Sequence, residues 1–388
     1  MTTSAAVYSD KTGSSDAADQ LAEQIIKVFG RQTPNVIILF ASPILNQVEL
    51  LKNIKDRCNP DILIGCSSAG EFISGRTGVD SVSAIALHSN EMYFSASVGR
   101  GIKANRDTVV DQLLDSMDGK DHFEYKYHTA MLLADALSGY TDEIIEKLTL
   151  RTAGTYQFFG GGAGDNAQFK ETCVFYDTEV VGDAVVMLEI LSNKPIGLGV
   201  SHGWNTGSEL FRVTEADGAK LISLNSIPAV DVFAAYASNT NQAFDQLNPI
   251  PFFLHNIVGI KTDEGFKLRV PLIINKDGSV TCASDIPEGS LVSIMSTHIE
   301  GSKNAAQSAT KTALSQLGDH KPNIGFFFDC VATRLRLGNS FDLELQGVQD
   351  EFQNTNYVGC NTHGQVARMN GQFSGFHNCS AVVCVIPD

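Results

Sequence analysis

The stretch that decides the fold is Gly65-Cys66-Ser67-Ser68-Ala69-Gly70-Glu71 (GCSSAGE), which follows directly after the apolar run Ile62-Leu63-Ile64. Its pattern of small residues occurs three times in the chain. The other two copies are Gly160-Gly161-Gly162-Ala163-Gly164-Asp165 and Gly359-Cys360-Asn361-Thr362-His363-Gly364-Gln365. Alignment on the last glycine brings three sets of residues into register: Gly70, Gly164 and Gly364; Cys66, Gly160 and Cys360; and Glu71, Asp165 and Gln365. Such a repeat constrains the fold more than any single element does.

The residues around each copy follow a common order. An apolar strand comes first, at 36–40, 131–134 and 326–329. A helix follows, marked by Leu45, Val48, Leu51 and Ile54 in the first copy and by Ile144, Ile145 and Leu148 in the second, while the third copy is less regular there. A second strand leads into the glycine turn, and another apolar strand follows at 83–87, 184–190 and 381–386. Each unit is therefore predicted to run strand, helix, strand, glycine corner and hairpin strand.

Further amphipathic segments at 17–29, 106–117 and 305–317 alternate with these strands. This alternation predicts an α/β fold of mixed sheets with packed helices. A length of 388 residues fits two domains. We divide the chain into an N-terminal tail and helix at 1–33, a first domain at 34–224 and a second domain at 225–388. The first dozen residues are polar, so we expect them to be flexible.

The GCSSAGE turn comes close to two functional motifs without matching either. A nucleophile elbow needs glycine two residues before its serine, where this chain has Cys66. A P-loop continues with lysine, whereas Glu71 follows Gly70 and would repel phosphate. Cys66 as an activated thiolate is a further alternative, but cysteine is among the most often buried residues. A catalytic residue is expected once per chain, while a corner that needs small residues and positive φ recurs in every copy. The sequence thus predicts architectural corners and no catalytic residue.

The composition excludes several partners. A net charge of −16 disfavours nucleic acid and anionic membrane surfaces, because both are bound through basic faces. No apolar run approaches the roughly 20 residues of a membrane-spanning helix, and the N-terminus lacks the features of an export signal. We therefore expect a cytoplasmic protein. The eight cysteines form no CxxC pair, and Cys379 and Cys384 lie five residues apart within an apparent strand, on opposite faces. This predicts reduced thiols and no structural zinc site.

Three histidines are candidates for a cofactor site. His202 lies in LGVSHGW, between small residues and near the single tryptophan, Trp204. Backbone freedom on both sides and an aromatic wall suit the axial ligand of a flat apolar cofactor. The alternative is a histidine packed at the seam between domains. His363, in a glycine corner, and His377, in the hairpin strand behind it, form a second pair; the alternative for His377 is a structural hydrogen bond to that corner.

An ordered series of motifs from about residue 35 to residue 385 resembles the FIST proteins, a two-part sensory module named for F-box and intracellular signal transduction. In the first part the motifs are NVIILFASP, DILIGCSSAGEF, FFGGGAGDN, LGVSHGW and RVTEADG. In the second part they are SIPAVDVFAAYAS, FFFDCVATRLRLG and YVGCNTHGQVARMNGQFSGFHNCSAVV. The resemblance implies a FIST N domain at 34–224 and a FIST C domain at 225–388.

The closing run QFSGFHNCSAVVCVIPD is similar to the stand-alone FIST proteins that bind haem and sense nitric oxide. This resemblance implies haem b as cofactor and a partner histidine kinase, diguanylate cyclase or phosphodiesterase that is regulated in response to the gas. His202 is then the first choice as ligand of the haem iron, followed by His363 and His377, with Trp204 beside it.

The resemblance also suggests roles for two arginines and shows one departure. Arg334 and Arg336 are expected to contact the haem propionates or the partner, and the alternative for both is a solvated surface position. FIST proteins more often have an aromatic residue before Gly-Glu, where this chain has His363, and Gln365 replaces the acid. This departure leaves the ligand of the C-terminal pocket open.

Two other functions are compatible with the same sequence. One is a haem-free FIST sensor of a small polar metabolite such as an amino acid, with Glu71, Asp165 and Gln365 accepting hydrogen bonds from its amine. The other is a signalling adaptor that binds no small ligand.

Overall fold

The computed structural model describes residues 2–119, 122, 124–263, 265–369 and 371–388. In the described residues, the strands form three six-stranded sheets and one nine-stranded sheet, with helices packed against them. The predicted α/β class with mixed sheets is therefore confirmed. Each six-stranded sheet is built around one copy of the sequence repeat.

The first unit places a helical crossover between two parallel strands. In chain order its elements are β1 (Thr2–Ser9), α1 (Ser14–Phe29), β2 (Val36–Ala41), α2 (Gln47–Cys58), β3 (Ile62–Ser67), β4 (Glu71–Ile73), β5 (Arg76–Gly78) and β6 (Val82–Ser89). β2 and β3 are parallel, and α2 connects them. The Asn46 side chain accepts the N–H of Glu49 at the start of α2, and Asn59 ends the helix in the left-handed conformation.

The N-terminal residues form a strand, so the expectation of a flexible tail was wrong. β1 pairs antiparallel with β6 along its whole length, from Thr2–Ser89 to Ser9–Val82. Its hydroxyl side chains form hydrogen bonds inside the sheet. For example, Thr2 Oγ1 and Ser89 Oγ are hydrogen-bonded at 3.0 Å. Polar composition alone was misleading because threonine and valine favour strands, and a serine hydroxyl can be satisfied there.

The second unit repeats the order of the first. Its elements are β7 (Met92–Arg100), α3 (Arg106–Asp115), β8 (Tyr127–Ala134), a 3-10 turn (Ala136–Ser138), α4 (Thr141–Arg151), β9 (Tyr156–Gly162), β10 (Val174–Tyr176), β11 (Glu179–Val181) and β12 (Ala184–Ser192). β8 and β9 are the parallel pair of this unit, and α4 is the crossover between them.

The third unit begins with β13 (Gly197–Ser201) and is then interrupted by an insertion. The inserted elements are β14 (Asn205–Thr206), β15 (Phe211–Asp217), β16 (Lys220–Leu224), β17 (Ile227–Pro228), α5 (Ala229–Asn239), α6 (Ile250–Phe253), β18 (Asn256–Thr262), β19 (Gly265–Arg269), β20 (Pro271–Ile274), β21 (Val280–Cys282) and β22 (Leu291–Ser296). Their strands make the nine-stranded sheet, which has its own apolar core beneath α5 and α6.

After the insertion the chain completes the third unit. The elements are α7 (Ile299–Ser315), β23 (Pro322–Cys330), α8 (Val331–Leu337), a 3-10 turn (Gly338–Ser340), α9 (Asp342–Phe352), β24 (Asn356–Thr362), β25 (Gln365–Arg368), β26 (Phe376–His377) and β27 (Ala381–Pro387). β23 and β24 are parallel, and β13 pairs with β27 across the inserted segment. The less regular middle of this copy consists of α8, the 3-10 turn and α9.

The hairpin after each glycine corner joins the sheet of another unit. β4 and β5 extend the third sheet through β24, β10 and β11 extend the first through β3, and β25 and β26 extend the second through β9. We call the turns before these hairpins, which contain Gly70, Gly164 and Gly364, the exchange corners. φ is +138° at Gly70 and +101° at Gly364, while a Cβ on Gly164 would lie 2.7 Å from the Ala69 nitrogen. The corners recur because every unit passes a hairpin to a neighbour.

The three exchanging sheets enclose one shared core. Phe40 of the first sheet, Phe159 of the second and Phe328 of the third lie in this core, with ring centroids 5.5 Å apart for Phe40–Phe328 and 6.3 Å for Phe159–Phe328. Separate apolar clusters lie between each sheet and its own helices. A smaller cluster fills the seam between the insertion and the third unit; it contains Trp204, Cys330 and Cys379.

Two details of the sequence interpretation were wrong. Val48 was expected on the apolar face of α2, but its side chain is 55% exposed. Cys379 was expected within the last strand, but β27 begins at Ala381, and Cys379 precedes it with a left-handed φ of +50°. In the described part of the chain, no helix is long and apolar enough to cross a membrane.

Candidate functional site

The third unit differs from the other two at the carboxyl ends of its parallel strands. Asp329 of β23 is paired with Asn361 of β24, and both are fully buried. The aligned rows in the other units are Ala41 with Ser67 and Leu133 with Gly161. The polar pair is therefore not needed to build the repeat. Ligands of α/β proteins bind outside the carboxyl ends of such strands, which makes this edge the candidate site.

A chain of hydrogen bonds connects this pair to the first exchange corner. Asn361 Nδ2 donates to Asp329 Oδ2 at 3.1 Å, and Arg334 Nη1 donates to Asn361 Oδ1 at 2.9 Å. The Arg334 guanidinium packs over the ring of Phe341 at 4.9 Å. The same guanidinium lies against Gly70, where a Cβ would come within 2.5 Å of Nη1. Arg334 is thus a half-buried contact between two units rather than a solvated surface group.

Glu71 is buried beside Arg334, and both of its oxygens are occupied. Ser68 Oγ donates to Oε1 at 2.5 Å, while Ser81 donates to Oε2 from its hydroxyl at 2.7 Å and from its N–H at 3.2 Å. Burial raises the pKa of Glu71 to about 8, although these hydrogen bonds and the Arg334 charge act in the opposite direction. The carboxyl group therefore takes up or releases a proton near neutral pH.

A polar cavity opens on the outer side of Ser81. Its volume is about 420 Å³, and its walls are Tyr8, Asp10, Gly75, Arg76, Thr77, Gly78, Asp80 and Ser81. Arg76 packs over the Tyr8 ring at 4.5 Å and donates to Asp10 at 3.0 Å. The walls bond directly to the buried groups, because Ser81 bonds to Glu71 and Thr77 Oγ1 accepts from Arg334 at 3.4 Å. We call this cavity the crossover pocket, since the hairpin β4–β5 forms one wall.

A second group of buried charges lies on the other side of Asp329. Asp329 and Glu344 contact each other through their carboxyl groups. Burial raises the pKa of both, and the neighbouring Glu344 raises that of Asp329 further. The pair therefore favours a shared proton over two charges. Arg336 is close to both acids; its Nη2 donates to Ser302 Oγ at 2.6 Å, and its guanidinium lies 5.3 Å from the centre of the Trp204 ring. Arg336 and Trp204 thus lie together, while Arg334 bonds to Thr77 in the wall of the crossover pocket.

The acid or amide that follows each corner glycine is saturated by its own loop. Asp165 accepts the N–H groups of Phe169, Lys170 and Glu171, at 3.0, 2.6 and 3.2 Å. Gln365 donates to Thr362 Oγ1 at 2.9 Å and accepts from Ser380 N at 3.3 Å. Together with the bonds of Glu71, these contacts leave no oxygen of the three side chains directed at a ligand pocket.

Each of the three candidate histidines has contacts of its own. His363 stacks on Phe169 at 4.7 Å, with Nε2 3.6 Å from Asp165 Oδ1. His377 Nε2 contacts the Ala367 carbonyl at 3.0 Å, which is a structural hydrogen bond at the third corner. Burial lowers the pKa of all three imidazoles, to about 4 for His377. They form no common ligand set.

The fit of a porphyrin to these imidazoles is poor. His202 Nδ1 accepts the N–H of Trp204 at 3.3 Å, its ring also hydrogen-bonds to the backbone of Phe266, and Trp204 is covered by Arg336. The crossover pocket has no histidine in its walls, nor has a second cavity of about 560 Å³ lined by Tyr127, Gln157, Pro195, Ile196, Gln316, Met369, Gly371 and Gln372. Within the described residues, no group of three or more His, Cys, Asp or Glu side chains is arranged to hold a metal ion.

The aligned cysteines of the corners belong to the central core. Cys66 and Cys360 are both fully buried and touch each other, and burial raises the pKa of Cys360. Neither cysteine lies in the walls of the crossover pocket. Their role is packing between the first and third sheets.

Sequence interpretation missed the residues that make the edge of the third unit polar. Asp329, Asn361 and Glu344 were not singled out, nor were Tyr8 and Ser81 in the crossover pocket. The available signal was the difference between the copies, since FFFDC has a charged residue, Asp329, at the position where the equivalent strands have Ala41 and Leu133. Glu344 and Ser81 carried no such signal.

Comparison with known proteins identifies two consecutive family regions. The FIST N domain matches residues 35–227, and the FIST C domain matches residues 229–368. An uncharacterized protein of Methanocaldococcus jannaschii is 25% identical over 304 residues, which cover 72% of this chain and 57% of the relative. A chorismatase crystal structure aligns over 100% of this chain and 99% of its own, with 7% identity and a TM-score of 0.36. The chain thus spans little more than half of its curated relative.

Proposed function

We infer a sensory role from the fact that this chain belongs to the FIST family, whose N and C domains it carries in order. We propose that it binds a small polar metabolite in the crossover pocket and passes the signal to a partner protein. Among the described cavities, this pocket is the one bonded directly to the buried polar edge of the third unit. That connection is the observation on which the proposal rests.

The walls of the pocket suit a zwitterion such as an amino acid. Arg76 offers a guanidinium to a carboxylate, while Asp10 and Asp80 offer carboxylates to an amine. Hydroxyl groups of Tyr8 and Ser81 line the inner side. The acceptors for the amine are thus pocket acids, whereas the corner residues Glu71, Asp165 and Gln365 have their hydrogen-bonding groups occupied within the protein.

Ligand binding has a direct route to the interior. A ligand that takes the Ser81 hydroxyl as a partner removes a hydrogen bond from Glu71, and a ligand that draws on Thr77 affects Arg334. Either change alters the balance between the charged and neutral forms of Glu71. The proposed output is a shift at the exchange corner between the first and third units, read by a histidine kinase or by a diguanylate cyclase or phosphodiesterase.

Thermal unfolding with individual amino acids as probes tests the binding step. At least one probe should raise Tm of the natural protein, because a ligand at 100 times its Kd adds about 2.7 kcal/mol of stability. Arg76→Ala should abolish that rise. Arg57→Ala, at an exposed ion pair with Asp19 on another surface, should preserve it. A Tm that no probe raises, or a rise unaffected by Arg76→Ala, would contradict the proposal.

Haem-based sensing of nitric oxide is a second proposal, and it comes from the resemblance. Its support is a histidine, His202, close to Trp204 and Arg336 at the seam between the insertion and the third unit. Haem bound there would supply an iron that takes up a diatomic gas. Because the imidazole is already hydrogen-bonded, the seam would have to open before haem could enter.

Absorbance after titration with haem tests this second proposal. A Soret band that His202→Ala removes, and that His363→Ala and His377→Ala retain, would support His202 as the ligand. A band that persists in all three variants, or no band at all, would exclude an axial histidine from this set. Neither result affects the thermal-shift test of the crossover pocket.

A further inference from the structure

All eight cysteines of the chain are buried, and two pairs of them are in contact. Cys66 touches Cys360 in the central core. Cys330 touches Cys379 in the seam cluster between the insertion and the third unit. The two pairs are chemically alike in residue type and burial, so a difference in their behaviour must come from their surroundings.

Backbone geometry brings Cys330 and Cys379 together. β23 and β27 are paired up to the row of Phe328 and Val382. Cys330 lies two residues beyond that row on β23, and Cys379 lies three residues before it, in the segment that leads into β27. The left-handed conformation of Cys379 directs both its N–H and its thiol at the Cys330 sulfur. A disulfide needs neighbouring backbones of this kind.

The surroundings of Cys330 favour its thiolate. Its sulfur accepts hydrogen bonds from the Cys379 thiol, from the N–H groups of Cys379 and Ala332, and from the Gln365 side chain. These contacts lower the pKa of Cys330 to about 6 despite burial. The hydrogen bond to Cys330 and burial raise the pKa of Cys379, and burial raises the pKa of Cys360 in the other pair. A thiolate is the nucleophilic form of cysteine, so Cys330 is the expected nucleophile of its pair.

Gln365 links this chemistry to the sequence repeat. Its aligned residues, Glu71 and Asp165, are acids that accept hydrogen bonds from their own loops. An ionised acid at 365 could not donate to the Cys330 sulfur and would repel a thiolate. The amide therefore occurs in the copy whose strand ends in cysteine.

We propose that Cys330 and Cys379 form a reversible disulfide when the protein is exposed to a peroxide. The Cys330 thiolate attacks one oxygen of hydrogen peroxide, the O–O bond breaks, and the departing hydroxide takes a proton to become water. The resulting sulfenic acid is attacked by the Cys379 thiol, so that an S–S bond forms, the S–O bond breaks and a second water leaves. Two thiols are oxidised and one peroxide is reduced to two waters. A dithiol reductant reverses the change.

This inference does not depend on the crossover pocket, and the molecule contains its own reporter. The single tryptophan, Trp204, belongs to the same apolar cluster as both cysteines and lies against Arg336. Formation of a disulfide in that cluster should change the tryptophan emission. The distinct prediction of the peroxide proposal is a covalent bond, whereas that of the pocket proposal is a ligand-induced rise in Tm.

The test treats the reduced protein with hydrogen peroxide and follows Trp204 emission together with the mass of alkylated peptides. The expected result is a peptide linking Cys330 to Cys379 that dithiothreitol cleaves, with the emission change reversed in parallel. Cys66 and Cys360 should remain alkylatable. Thiols that all stay reduced, overoxidation of Cys330 without a link, or a link that forms first between Cys66 and Cys360 would each overturn the proposal.

Variants separate reactivity from folding. Cys379→Ala should remove the link, while Cys384→Ala, at a buried cysteine outside both pairs, should leave it intact. Gln365→Glu keeps every cysteine, and at pH 5, below the pKa of Cys330, it should slow formation of the link about tenfold if it raises that pKa by one unit. An unchanged rate in Gln365→Glu would show that the amide does not activate the thiolate, and would contradict the proposed mechanism even if Cys379→Ala fails to fold.

Discussion

The backbone N–H of Asn361 donates to the carbonyl oxygen of Gly70 at 2.8 Å, which joins the third exchange corner to the first. The Arg334 and Asn361 side chains pack against the same glycine. Strand exchange and the candidate site therefore meet at one position. A side chain added at Gly70 would therefore disturb both.

Gly70→Ala should destabilise the protein by more than about 2 kcal/mol, because φ is +138° and the new Cβ would lie 2.5 Å from Arg334 Nη1. Gly265→Ala is the matched control, since φ there is +131° but no atom lies within 4 Å of the added Cβ. Urea unfolding gives both values. Equal losses in the two variants would show that backbone strain alone accounts for the effect.

Glu71→Gln should change how stability depends on pH. The folded protein holds the Glu71 proton up to a pKa of about 8, above the ordinary value of 4.5. Glu71 therefore favours folding at low pH, and this contribution is lost as pH rises from about 4.5 to about 8, at up to about 1.4 kcal/mol per pH unit. Over that pH range, the free energy of unfolding should fall less in the glutamine variant than in the natural protein. Parallel curves would rule out a raised pKa.

His377→Gln tests the opposite sign. Burial, aided by the nearby charges of Lys267 and Arg269, lowers the pKa of His377 to about 4. The unfolded chain takes up a proton near pH 6.5 and the folded chain does not, so stability is lost as pH falls from about 6.5 to about 4. Glutamine can still donate to the Ala367 carbonyl, and the variant should lose less stability between pH 7 and pH 5. Equal losses of stability in the two proteins would contradict the lowered pKa of His377.

Arg334→Leu should cost about 1 to 3 kcal/mol, because Asn361 loses a buried hydrogen bond and Glu71 loses a neighbouring positive charge. Arg57→Leu, which breaks an exposed ion pair with Asp19, should cost less than about 1 kcal/mol. Arg334→Leu should also raise the pKa of Glu71 further, which extends the pH window of the preceding test to higher pH. Similar costs for the two arginines would place Arg334 among the solvated side chains.

The repeat was predictable from sequence, and the destination of each hairpin was not. Apolar periodicity identified β2, β8 and β23 because these strands are buried on both faces. Periodicity predicts that a strand exists but not which strand it pairs with. Nothing in Glu71–Ile73 therefore indicated pairing with β24. β1 was missed because its hydroxyl side chains are satisfied only within the folded sheet.

The candidate site was only partly predictable for a related reason. Glu71 was recognised from its alignment with Asp165 and Gln365, but its bonds to Ser68 and Ser81 depend on a loop that closes in three dimensions. Arg334 was recognised from a resemblance, and its contact with Asn361 requires the parallel pairing of β23 and β24. Residues shared by the copies indicate architecture, whereas Asp329 became informative through its difference from Ala41 and Leu133.

The passing of hairpins between units has a consequence for biosynthesis. The edge of β9 is covered by the residues of β25, which are translated long after those of β9. Until they emerge from the ribosome, the second sheet presents an uncovered strand edge, which is a template for pairing with other chains. Truncated products that end before residue 365 should therefore aggregate, and the nascent protein should depend on chaperones until β25 has emerged.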